Sequence, residues 1–177
     1  MKLSKFLLVA GIMASCTLFF FLSKEKGQHK EKFSQHLRVN LSEGDPTSLH
    51  PHLAADIRSR ILGKALFEGL TRLTPKGKGE LAAAEKVDVN DSFTRYVFSI
   101  RPHEWSNGEP VTAYQFEKSW KQAIHPDSIC ARGDLFYIIK NAKKAKRNEL
   151  SLENVGIQAL DEKTLVVELE HPAPYFL

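Results

Sequence analysis

The stretch His103 to Trp120, HEWSNGEPVTAYQFEKSW, restricts the fold more than any other part of the chain. It follows RYVFSIR, which puts Tyr96, Phe98 and Ile100 on one face and Arg95, Val97 and Ser99 on the other, the pattern of a half-buried strand. Pro102 ends that run. Asn107-Gly108 predicts a tight turn, because both residue types tolerate positive φ. Thr112 is placed as a helix N-cap, and Gln115 three residues later completes a capping box. Phe116, Trp120, Ala123 and Ile124 then recur at helical spacing as one apolar stripe. Glu117 and Lys121 pair on another side of the helix, worth about 0.2–0.5 kcal/mol, and Pro126 stops it. Each unusual residue thus has a structural task, and both tryptophans are expected in the core rather than on a ligand platform.

Further elements surround this junction. HLRVNL alternates Leu37, Val39 and Leu41 as a short strand. The following stretch, SEGDPTSLHPHLAAD, holds Gly44, Pro46 and Pro51 and is expected to be irregular. Ile57, Ile61, Ala65 and Leu66 recur at helical spacing between Asp56 and Leu70, with Gly69 as the candidate left-handed residue ending that helix. LTRLTPKGKGE is a turn after a short strand; it lacks the Gly-Lys-Ser/Thr ending of a phosphate loop. NVGIQALDEKTLVVELE reads as a hairpin around Asp161-Glu162-Lys163, with Leu165, Val167 and Leu169 facing Ile157 and Ala159. Strands and helices are therefore interspersed, which predicts an α+β or mixed α/β fold.

The N-terminus has a different character. Lys2 and Lys5 precede an apolar run from Phe6 to Leu22, the pattern of an export signal or membrane anchor. At about 17 residues and about 26 Å, that helix would be slightly shorter than the ~30 Å hydrocarbon core. Met13-Ala14-Ser15-Cys16 resembles a lipobox, which makes Cys16 the candidate lipidation site. Residues 23–35 read as a flexible tether. Cys130 is left with no disulfide or zinc partner and is expected to be a small buried side chain.

Composition excludes some classes. The chain is 42% hydrophobic, enough for a core, and its net charge is only +4. The basic run KNAKKAKRNEL carries no interleaved aromatics and reads as a solvated helix end, so no nucleic-acid partner is expected. His50 and His52 would face one side of an extended segment, which raises a metal hydrolase. No third ligand, Glu-x-x-His or nucleophile elbow accompanies them, so neither enzyme activity, metal nor cofactor is expected.

Several ordered motifs resemble one family, the oligopeptide-binding (family 5) solute-binding proteins of ABC transporters. DPTSLHP (Asp45–Pro51), LFEGLTRLTPKGK (Leu66–Lys78), the strand–turn–helix AAAEKVDVNDSFTRYVFSIRPHEWSNGEPVTAYQFEKSW and IQALDEKTLVVELEHPAPYFL all match in sequence order. His50 departs from the family's Asp and Gln115 from an acidic residue. Ile129 and Cys130 stand where some relatives carry a ligand-facing Pro-Tyr pair. The resemblance implies a two-lobed, type II periplasmic-binding-protein-like fold that closes on an extended peptide by a hinge. On that reading residues 1–22 are the signal peptide or anchor and 23–35 the tether. Residues 36–62 open the first lobe, 63–170 form a small accessory α+β domain, and 171–177 return to the first lobe. The chain is then a truncated or split receptor. The residues matching a ligand-lining position are Glu43, Gly44, Asp45, Pro46 and Thr47, with Asp45 offering a carboxylate to a ligand amine. The implied partners are a peptide, the transporter's permease subunits and the membrane. The alternatives are a non-binding remnant, or a receptor for another solute such as a nickel complex.

Overall fold

Tyr96, Phe98 and Ile100 occupy the middle of a four-stranded antiparallel sheet, each almost fully buried. The computed structural model describes residues 38–40 and 44–177, and every element below lies in the unit Leu41–Leu177. The strands of this sheet are β3 (Ala84–Val89), β4 (Arg95–Ile100), β5 (Ile157–Ala159) and β6 (Thr164–Glu168), in the order β3-β4-β6-β5. Tyr96 lies opposite Val167 and Phe98 opposite Leu165, while Ile157 lies opposite Val167 on the far side. The alternation read from RYVFSIR therefore becomes one continuous apolar face across neighbouring strands. A separate hairpin pairs β1 (Thr71–Leu73) with β2 (Gly79–Leu81), so LTRLTPKGKGE forms the expected strand and turn.

Helix α1 (Ile57–Leu66) precedes the hairpin, α2 (Ala113–Ala123) follows β4, and the short α3 (Ala142–Lys146) carries the basic run. The start of α2 is built as the sequence predicts. Gly108 has φ +86°, and Thr112 and Gln115 form the capping box, the Thr112 N–H donating to Gln115 Oε1 at 3.1 Å. Ala123 and Ile124 are buried, and Phe116 and Trp120 pack against the same core. The Trp120 ring meets Phe136 edge to face, centroids 5.7 Å apart. Trp105 differs from expectation: it is 40% exposed, with its indole N–H donating to Gln115 Oε1 at 2.9 Å. Its polar edge is held by the helix cap, so the ring lies across the turn instead of entering the core.

Three other expectations need correction. Helix α1 ends at Leu66, with Phe67 already extended, and Gly69 does not adopt positive φ. A side chain at Gly69 would crowd the Thr71 carbonyl at 3.0 Å, so close approach explains this glycine. The helix itself forms where that spacing predicts it, and its apolar stripe is uncovered among the described residues: Ile57 is 63% exposed and Leu66 59%. Cys130 is half-buried rather than buried. Residues 38–40 form no strand, and Leu37 and Leu41, on which that expectation also rests, lie outside the described residues, as do Cys16, the 1–22 segment and the 23–35 tether.

The i,i+4 pair on α2 does more than the sequence suggested. Glu117 Oε1 accepts from Lys121 Nζ at 2.6 Å, while its Oε2 accepts the Ala159 N–H of edge strand β5 at 2.8 Å. The carboxylate thus ties the helix to the sheet. Glu117→Ala strands a part-buried amide and is expected to cost about 1–3 kcal/mol in denaturant unfolding, whereas Lys121→Ala is expected to cost about 0.5 kcal/mol or less.

Candidate functional site

The segment singled out as ligand-lining is held by one carboxylate. Asp56 caps α1, its Oδ1 accepting from the N–H groups of Arg58 and Ser59, both at 3.0 Å. Its Oδ2 accepts the Ser59 hydroxyl at 2.5 Å and the Thr47 hydroxyl, and the Thr47 N–H lies 3.3 Å from the same oxygen. Ser59, fully buried, also accepts the Ser48 N–H at 3.2 Å. Hydrogen bonds from the Ser59 and then the Thr47 hydroxyl hold the Asp56 carboxyl far below the usual carboxylate range. The sequence marks Asp56 only as a helix start; its grip on Thr47 spans nine residues of chain. Asp at the cap followed three residues later by Ser was the available signal.

Above this anchor the candidate residues are open to solvent. Gly44 has φ +93°, and a side chain there would approach the Arg58 guanidinium to 3.6 Å. Asp45 is exposed, Pro46 is half-buried, and Thr47 turns its hydroxyl inward to Asp56. Glu43 lies outside the described residues. The structure therefore brings Gly44, Asp45 and Pro46 to the surface together, with Thr47 as their tether.

The histidines lie farther along the same stretch. His50 caps a 3-10 turn, Pro51–Leu53, and His52 lies within it, with ring centroids 5.1 Å apart, edge to face. They share a side, although the backbone is a turn and not an extended segment. His52 Nε2 lies 3.2 Å from Ser119 Oγ on α2, and burial, then neighbouring His50, lowers its pKa. Among the described residues no group of three or more His, Cys, Asp or Glu side chains could hold a metal ion.

Comparison with known proteins gives the family. Residues 78–177 match the family described as bacterial extracellular solute-binding proteins, family 5. The chain belongs to this family. The oligopeptide-binding protein OppA of Bacillus subtilis is 37% identical over 166 residues, covering 93% of this chain and 30% of that protein. The dipeptide-binding protein DppE of the same organism is 35% identical over 168 residues, covering 93% and 31%. The crystal structure of Haemophilus influenzae OppA in complex with the peptide RPPGFSPFR superposes with a TM-score of 0.69 at 29% identity, covering 74% of this chain and 26% of that one. The mixed helix and sheet layout is thus that of the matching part of the type II periplasmic-binding proteins, as expected. The chain spans about 30% of the length of the curated relatives it matches.

The Asp56 anchor has a defined pH signature. Its folded pKa is depressed, so its contribution is complete above the unfolded carboxylate value, about 3.9, and is lost as pH falls below that toward the folded value. Proteolysis of residues 44–56 at neutral pH is expected to quicken roughly fivefold or more in Asp56→Ala, as for loss of a helix cap. In the wild-type chain, amide exchange at Arg58 and Ser59 is expected to lose protection only under acid.

Proposed function

We propose that this chain is the opening part of the solute-binding component of an ABC importer, and that it captures oligopeptides outside the cytoplasmic membrane. The observation that carries the reading is identity to an oligopeptide-binding protein across 93% of this chain. The likeness to a structure solved with a nonapeptide bound supports it. On this reading residues 36–62 open the first lobe, 63–170 form the accessory domain and 171–177 return to the first lobe. The partners are a peptide and the permease subunits. Residues 1–22 export the chain or anchor it to the membrane, through lipidated Cys16 or the apolar run, and residues 23–35 are the tether. The role is recognition and delivery, with no chemical step.

The proposed contribution to the ligand site is residues 43–47. An irregular segment exposes backbone groups that regular structure would consume, and those groups can pair with an extended peptide. Gly44 at positive φ and Pro46 keep that backbone out of a strand, and Asp56 fixes it from below. Asp45 presents a carboxylate suited to a peptide's terminal amine. The opposing wall belongs to polypeptide that the relatives carry beyond the matched segment. The uncovered stripe of Ile57, Ile61 and Leu66 supports a need for such polypeptide.

The test joins this chain to the remainder of B. subtilis OppA beyond the matched segment and records melting with di- to pentapeptides. Saturating peptide, about 100-fold over Kd, is expected to stabilise the chimera by about 2.7 kcal/mol. Asp45→Asn is expected to weaken binding of free-amine peptides about tenfold, or ~1.4 kcal/mol, and to leave N-acetylated peptides unchanged. A folded chimera that ignores every peptide to which the parent responds would count against the proposal.

A further inference from the structure

Asn107 and Gly108 occupy an exposed turn whose hydrogen bonds fold the Asn107 side chain back on its own main chain. The Gly108 N–H donates to the Trp105 carbonyl at 2.9 Å, and the Trp105 N–H donates to the Glu109 carbonyl at 2.8 Å. Inside that frame Asn107 Oδ1 accepts the Glu109 N–H at 3.1 Å. The ring closed by this bond runs through the Gly108 peptide, so it turns the amide carbon Cγ toward the Gly108 nitrogen. Gly108 has φ +86°, and nothing lies within 4 Å of where its side chain would begin. Asn90 and Asn148 are exposed too, but they precede Asp91 and Glu149, whose side chains flank the nitrogen that follows.

We propose that Asn107 is a site of spontaneous covalent modification, and that the product unseats Trp105 from the start of α2. The Gly108 nitrogen attacks Asn107 Cγ and gives up its proton to solvent base. The Cγ–Nδ2 bond breaks, and Nδ2 leaves as ammonia after taking a proton from water. The cyclic imide is then opened by a second use of water. Attack at Cγ yields aspartate; attack at the main-chain carbonyl yields isoaspartate, in which the chain runs through Cβ and Cγ. Water is the only co-reactant. Three features of the turn favour the attack. The Asn107 side chain is already folded toward the nucleophile. The Glu109 N–H donates to the oxygen on which negative charge develops. Glycine leaves the nitrogen unshielded. The Gly108 N–H bond to Trp105 must open first, and it belongs to a solvent-exposed turn, where local opening costs little. Isoaspartate lengthens the main chain by one atom between the two residues. The Trp105–Glu109 and Trp105–Gly108 bonds then lose their register, and with them goes the placement of the indole that donates to Gln115 at 2.9 Å.

The test incubates the full chain, folded in mild detergent, in mildly alkaline heavy-oxygen water, which marks each opened imide. Peptide mapping by mass spectrometry then separates asparagine, aspartate and isoaspartate at each position. Asn107 is expected to convert about tenfold or more faster than Asn90 and Asn148 in the same molecules. Tryptophan emission is expected to shift to the red in step with the isoaspartate fraction, and to stay constant in N107Q. The N107D variant carries the added charge without the longer main chain, so its starting emission is expected to match the wild type. Conversion of Asn107 no faster than that of Asn90 and Asn148 would overturn the modification site; this comparison needs only the wild-type chain and stands even where a variant does not fold. An emission that ignores the isoaspartate fraction, or that drifts equally in N107Q, would overturn the unseating of Trp105.

Discussion

Tyr96 is where the separate parts of this fold are tied together. Its ring sits in the centre of the sheet beside Phe98, 6.4 Å away, and packs against Phe176 at 5.0 Å. Its hydroxyl donates to the Ala173 carbonyl at 2.6 Å, across 77 residues of chain. Burial raises the pKa of the phenol, so the proton that makes this bond is secure at any ordinary pH. The ring thereby fixes the segment after β6 against the sheet, and β6 is the strand that α2 and β5 also use. A smaller constraint keeps that edge closed. Gly156 has the Glu168 carbonyl only 2.6 Å from where a side chain would begin, so β5 can approach β6 only with glycine there.

The division of labour in the chain follows from these ties. In strand β4, the Asn107-Gly108 turn and α2, two polar side chains are spent on the fold. Gln115 satisfies both the Thr112 N–H and the Trp105 indole, and Glu117 satisfies both Lys121 and the Ala159 amide. Residues 44–46 are different. They are exposed or half-buried, and Asp56 holds them from one side through Thr47. The proposed receptor role calls for this contrast between a scaffold with its polar groups engaged and a short irregular stretch at the surface.

Much of this was legible in the sequence because the signals were local. The turn, the capping box, the hairpin around Asp161 and the alternation in β4 each depend on residues within about five positions, and all appear as read. Two kinds of feature are not legible in this way. Asp56 reaching Thr47, and Glu117 reaching Ala159, are contacts between distant positions that no local pattern announces. For Gly69 and Trp105, residue type leaves more than one role open. Glycine can serve close approach as well as positive φ, and tryptophan can lie over a turn when its N–H has a partner. The stripe of α1 is helical as its spacing predicts, but spacing does not say what covers it.

The central claim is that residues 43–47 meet ligand while the tryptophan-bearing junction does not. Photo-crosslinking tests it most directly, using a tripeptide with a photoreactive group at its N-terminal residue, bound to the chimera described above and mapped by mass spectrometry. The account predicts adducts within residues 43–47. Adducts concentrated on Trp105 or Tyr114, with none in that segment, would contradict it.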